Sequence, residues 1–154
     1  MKRIICTAFI LTLVLLFSAC GGSREAISAA EFTSRMTGAG HMVEDATHIF
    51  EDDPNSLVTA YLVADCGEFV VEFLVYETLE SARLVFGNIR NEIEGMRGNT
   101  ASYSSVSTSN FSRYRLTSGG QLGVVSRIGS TIVVVVTSSD NRADVDAVLE
   151  LLGY

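Results

Sequence analysis

Residues 111–137 read FSRYRLTSGGQLGVVSRIGSTIVVVVT, and this stretch decides the fold. Three runs rich in β-branched and aromatic residues are separated by Ser118-Gly119-Gly120 and by Gly129-Ser130, the pattern of an antiparallel meander. A three-residue first loop puts Tyr114, Leu116, Leu122 and Val124 on one face, and a two-residue second loop adds Val133 and Val135 to it. The opposite face then holds Arg113, Arg115 and Arg127 beside Phe111, Val125, Ile132, Val134 and Val136. Because Ile132 to Val136 is apolar at every position, the last strand needs cover on both sides. Helix one with its following loop, a second copy of the chain, or a partner would supply it.

Upstream, Leu57 to Tyr76 reads as a hairpin about Cys66-Gly67, with Ala64 opposite Phe69, Leu62 opposite Val71, Ala60 opposite Phe73 and Val58 opposite Val75. That face is wholly apolar, and burying one such phenylalanine contributes on the order of 2 to 3 kcal/mol, which makes it the expected core. A helix capped by Thr78 follows and runs to about Arg97, with Ala82, Phe86, Ile89, Ile93 and Met96 as its apolar stripe. The last helix is expected to start near Ser139-Asp140, to bury Val145, Val148, Leu149 and Leu152, and to end at Gly153. The first carries a capping box, Ser28-Ala29-Ala30-Glu31, clasped by Ile27 and Phe32.

Two segments lack a period. Residues 41–56 include the metal-capable side chains His41, Asp45 and His48, but their spacing matches neither a helical histidine pair nor a calcium loop, so the segment reads as a solvated connection without a metal. Residues 99–110, rich in Ser and Thr, read as a loop or a ragged edge strand. The expectation is therefore a single α+β domain over residues 27–154, in the order α-ββ-α-βββ-α. It has an antiparallel sheet of about five strands, with helices two and three packed mainly on one face.

The chain starts with a leader. Lys2 and Arg3 precede an apolar run from Ile4 to Phe17, and Ser18-Ala19-Cys20 follows, the shape of a secretory signal. The run is short for a spanning helix, which needs about 20 apolar residues. Phe17-Ser18-Ala19-Cys20 resembles the lipobox of bacterial lipoproteins, with Phe17 where that family prefers leucine. The resemblance implies that residues 1–19 are cleaved, that Cys20 is lipidated with diacylglycerol, and that residues 20–26 tether the domain to the outer side of the cell membrane. The mature part also resembles a class of small uncharacterised lipoproteins from Gram-positive anaerobes, through Ile27 to Phe32, Val125 to Thr131 and Leu152-Gly153-Tyr154. This second resemblance implies a cell-surface location and one α+β domain, with no activity to transfer.

Of 154 residues, removal of the 19 in the leader leaves 135, a length suited to one domain. All 18 acidic residues remain, against nine arginines, a net charge near −9 that argues against nucleic acid as a partner. If, as the resemblance implies, Cys6 leaves with the leader and Cys20 takes lipid, Cys66 is left unpaired and is a candidate intermolecular thiol at a hairpin tip, which would make a homodimer. Arg113, Arg115 and Arg127 are a candidate strip for an envelope protein or a small anionic ligand, since guanidinium forks suit carboxylates and phosphates. No nucleophile elbow, phosphate-cradling loop or zinc-helix motif is present, and no cofactor is indicated. These features imply a membrane-anchored binding or accessory module of the cell envelope. The alternatives are a surface enzyme with a non-local site and a self-associating structural lipoprotein.

Overall fold

In a computed structural model describing residues 24–53 and 55–154, the chain forms one antiparallel sheet with helices on both faces. The cleavage and lipidation expected at residues 19 and 20 lie outside the described residues. The elements are α1 (Ala29–Gly38), β1 (Met42–Asp45), a short 3-10 turn (Thr47–Phe50), β2 (Val58–Asp65), β3 (Val70–Tyr76) and α2 (Leu79–Gly95). They continue with β4 (Ala101–Ser107), β5 (Phe111–Ser118), β6 (Gln121–Ile128), β7 (Thr131–Ser138), a second 3-10 turn (Ser139–Asn141) and α3 (Arg142–Leu152). The class is α+β, as expected, but the sheet has seven strands rather than about five, in the order β1-β2-β3-β7-β6-β5-β4.

Both additional strands are edges. Met42–Asp45 pairs with β2, and Ala101–Ser107 pairs with β5. Neither buries an apolar face, so no alternation marks them in the sequence; their backbones complete the sheet's hydrogen bonding instead. The segment after β1 is likewise fixed, since the Ala46 N–H donates to Tyr61 O at 2.8 Å and the Tyr61 N–H donates to Thr47 Oγ1 at 2.9 Å.

Turn chemistry explains which register expectations held. The first hairpin is joined over Cys66 to Phe69, so Ala64 faces Val71 and Leu62 faces Phe73, two residues away from the expected partners. An even shift leaves the side chains from Ala60 onward on their expected faces, but a bulge between Val58 and Ala60 pairs Val58 with Tyr76 instead of Val75 and turns it to the opposite face, beside Leu74 and Tyr76. In the meander, Gly119 and Gly120 both have positive φ, 57° and 80°, and make a two-residue turn. Ser118 therefore pairs with Gln121, and the three-residue loop is corrected to two. This odd shift turns β5 over relative to β6, so Tyr114 and Leu116 lie on the same face as Val125, Ile132 and Val134.

The two sheet faces carry two cores. On one, α1 and α3 cover Leu62, Val71, Phe73, Leu122, Val124, Val133 and Val135. Phe32 of α1 stacks on Phe73, with ring centroids 4.6 Å apart, and the Ser28–Glu31 capping box is formed. On the other, α2 covers Leu74, Tyr114, Leu116, Val125, Ile132 and Val134. The expectation that helices two and three share one face is thus corrected, and the cover sought for the second face of β7 is α2 itself. No helix among the described residues is long and apolar enough to cross a membrane.

The seating of α2 depends on a missing side chain. A Cβ at Gly123 would lie 2.7 Å from Ile93 Cγ2, closer than carbon atoms approach, so β6 admits Ile93 only because residue 123 is glycine. Replacing Gly123→Val should lower the unfolding free energy by about 1–3 kcal/mol through overpacking. Urea unfolding measures this, and an unchanged midpoint would mean that α2 does not press on β6 here.

Candidate functional site

The three arginines do not form a strip. Arg113 and Arg115 lie on the face of β5 beside α3, whereas Arg127 of β6 lies on the α2 face, a separation that follows from the Gly119-Gly120 turn. Arg115 is paired with Asp146 of α3. Arg113 lies 5.5 Å from the centroid of the Phe111 ring, and its Nε donates to Ser126 Oγ at 3.4 Å. Burial first, and the neighbouring Arg24 and Arg115 next, lower the Arg113 pKa. Arg127 is only 1% exposed and donates to Gly129 O at 2.8 Å and to Ser112 Oγ at 3.3 Å.

The entering chain is held to the same end of the domain. Asn110 Nδ2 donates to Arg24 O at 2.7 Å, the Arg24 guanidinium lies 4.0 Å from the Phe111 centroid, and Ala26 packs on the core. The expected tether, drawn to residue 26, is therefore attached to the domain from Arg24 onward.

Cys66, in the turn between β2 and β3, is half-buried and packs against the apolar core. Burial, and secondarily the charge of Asp65, raises its thiol pKa from an ordinary 9.0 to about 11. The thiolate required for disulfide exchange is correspondingly scarce at neutral pH. His41, Asp45 and His48 do not converge, and no metal-binding group of three or more His, Cys, Asp or Glu side chains occurs among the described residues.

One wide concavity is not indicated by the sequence. Seven strands about 4.8 Å apart span about 29 Å, and one helix about 10 Å across cannot cover that width. Since α2 is seated over β6, it leaves part of β3 and β7 open. The result is a cleft of about 950 Å³ floored by Leu74, Tyr76, Val134 and Val136, walled by Leu84, Val85 and Ile89 of α2 and by Met96 at its C-cap, and closed by Phe50, Leu57 and Val58. Val136 is 49% exposed and Leu84 69%, an unusual degree for apolar side chains that line one groove. Among the described residues, the charged ones lining the cleft are Asp53, Glu72, Glu80 and Glu92, and no basic side chain joins them. Glu72 accepts a hydrogen bond from the Tyr61 hydroxyl at 3.1 Å. An apolar groove with acidic margins can take an apolar body and a positively charged or hydrogen-bond-donating end.

No protein-family model matches the chain, and no curated protein does. A solved structure is similar over 82% of this chain and 88% of its own length, at 13% identity and a TM-score of 0.49. It is described as a GTP binding regulator from Thermotoga maritima.

Buried hydroxyls and the thiol set the alkaline limit. Burial raises Tyr76, on the cleft floor, from 10.0 to about 12, and burial together with the Glu72 charge raises Tyr61 to about 12. Tyr154, whose hydroxyl is bonded to Thr131, is raised further by burial. A group with a raised folded pKa contributes its full stabilisation below its unfolded pKa and loses it as pH rises through the folded one. Stability should therefore fall from pH 9.0, where Cys66 starts to ionise in the unfolded chain, to about 12, where the folded-state tyrosines do so. Urea midpoints at stepped pH test this, and a midpoint constant to pH 12 would contradict it.

Proposed function

We propose that the protein is a lipid-anchored binding module of the cell envelope. Cys20 carries the diacylglyceryl group outside the cytoplasm, and the cleft beside α2 holds an apolar molecule bearing a positive charge. The observation that carries the binding reading is the open groove of about 950 Å³, lined by exposed Leu84 and Val136 together with four acidic residues. Exposed apolar area of this kind is costly in water and is retained where something covers it. The carboxylates of Asp53, Glu72, Glu80 and Glu92 favour a cationic occupant over an anionic one. The leader supports the location, since the lipobox-like Phe17-Ser18-Ala19-Cys20 ends an apolar run too short to span a bilayer. Two acyl chains make such anchoring stable, where one is marginal.

Both halves can be tested on the full chain in cells. Cys20→Ser should move the protein from the membrane fraction to the soluble fraction, and retention in the membrane would contradict lipid anchoring. A photoreactive alkylammonium probe should label peptides of α2 and β7, while a carboxylate probe of the same length labels them about tenfold less, equivalent to about 1.4 kcal/mol. Leu84→Arg, at an exposed position on the cleft wall, should remove the cationic labelling. Equal labelling by both probes, or labelling unaffected by Leu84→Arg, would contradict the proposed occupant.

A further inference from the structure

On the other side of α2, Arg127 is a buried cation without a counter-ion. It is 1% exposed, and among the described residues no ion pair includes it and its buried Nε–H has no hydrogen-bond partner. The sequence before Arg24 contains no Asp or Glu that could serve. Its other bonds have a structural purpose, since Nη1 donates to Gly129 O at 2.8 Å and to Asn110 O at 3.4 Å, tying the β6–β7 turn to the β4–β5 turn. Those carbonyls account for part of the hydrogen bonding and leave the charge uncompensated, and a buried unpaired charge is strongly destabilising.

The surroundings add positive charge rather than negative. Arg127 lines a small cavity of about 360 Å³ together with Arg83 of α2, Ser107, Thr108 and Ser112. Arg83 is held in place by donating from Nη2 to Ser109 O at 2.7 Å, which leaves its remaining N–H groups available. Ser112 Oγ lies 3.1 Å from Ser107 Oγ and 3.3 Å from Arg127 Nη2. Burial, and then the charge of Arg83, lowers the Arg127 pKa, so the two guanidiniums sense each other.

We infer that Arg127 and Arg83, with the hydroxyls of Ser107 and Ser112, form a binding site for a phosphate group; the Thr108 hydroxyl beside them is already engaged, donating to Phe111 O at 3.1 Å and accepting from the Phe111 N–H at 3.0 Å. Two guanidiniums and the one hydroxyl hydrogen that the Ser107–Ser112 pair leaves free supply more donors than the two oxygens of a carboxylate can accept, whereas a phosphate presents at least three oxygens and more charge. The site is independent of the apolar cleft and keeps only Arg127 of the expected strip. Its rim includes the turn at Asn110, which holds Arg24, and the four residues from Cys20 to Arg24 span at most about 14 Å. A lipid headgroup and a soluble phosphate monoester are thus two sources of the same chemistry.

The test uses the full chain. In nonionic detergent, millimolar glycerol 3-phosphate should raise the melting temperature relative to chloride at equal ionic strength. In a second arm, the chain in phosphate-free glycolipid vesicles should melt higher when phosphatidic acid is included. Arg83→Gln, an exposed change that leaves the ligand-free melting temperature near wild type, should weaken the response at least about tenfold, and Arg127→Met should abolish it. A response in either arm that is lost in these variants supports the site and identifies its source. No response in both arms, or one that persists in Arg83→Gln, overturns it.

Discussion

A strand that is apolar on both sides cannot meet water on either, and β7 is such a strand. Ile132 to Val135 are all buried, and β7 occupies the middle of the seven-stranded order. The sheet must then be covered twice. One layer is supplied by α1 and α3, whose Phe32, Met36, Val145 and Leu149 close over Phe73, Val133 and Val135. The other is α2 alone, seated over β6 by the absence of a side chain at Gly123. Unequal cover of a wide sheet leaves the apolar cleft on one flank of α2 and the arginine-lined cavity on the other.

The legible parts of the fold are those in which burial imposes a period. The apolar stripe of α2 from Ala82 to Met96, the Ser28–Glu31 box and the double-sided demand of β7 are all plain in the residues, and all appear in the structure. Parity was the weak point. The error at Cys66–Phe69 was even and left the hairpin faces intact as far as the bulge that turns Val58 over, whereas the error at Gly119-Gly120 was odd and exchanged the sides of Tyr114 and Arg113. Because Ser118-Gly119-Gly120 is compatible with either loop length, composition alone did not distinguish them. The edge strand β1 was hidden, and β4 undecided between a loop and an edge strand, for a different reason, since they contribute backbone hydrogen bonds and bury almost no apolar side chain.

The sites were less legible than the fold. Arg113, Arg115 and Arg127 suggested a strip through their spacing, yet each has separate surroundings: an aromatic ring, a carboxylate on α3, and a cavity beneath α2. Arg83 gave no signal, because it reads as a solvated residue off the stripe of a helix and meets Arg127 only when α2 crosses the sheet. The acidic margins of the cleft likewise come from the loop after the first 3-10 turn, from β3 and from α2. Such convergence is a property of topology, and no local window contains it.

Hydrogen exchange of backbone amides tests the doubly covered centre most directly. Amides of Val133 to Val135 and of Val124 and Val125 should exchange only through global unfolding, while those of β1 and β4 exchange through local opening. Exchange in β7 as fast as in the edge strands would contradict the account, because it would leave one side of the central strand open to solvent.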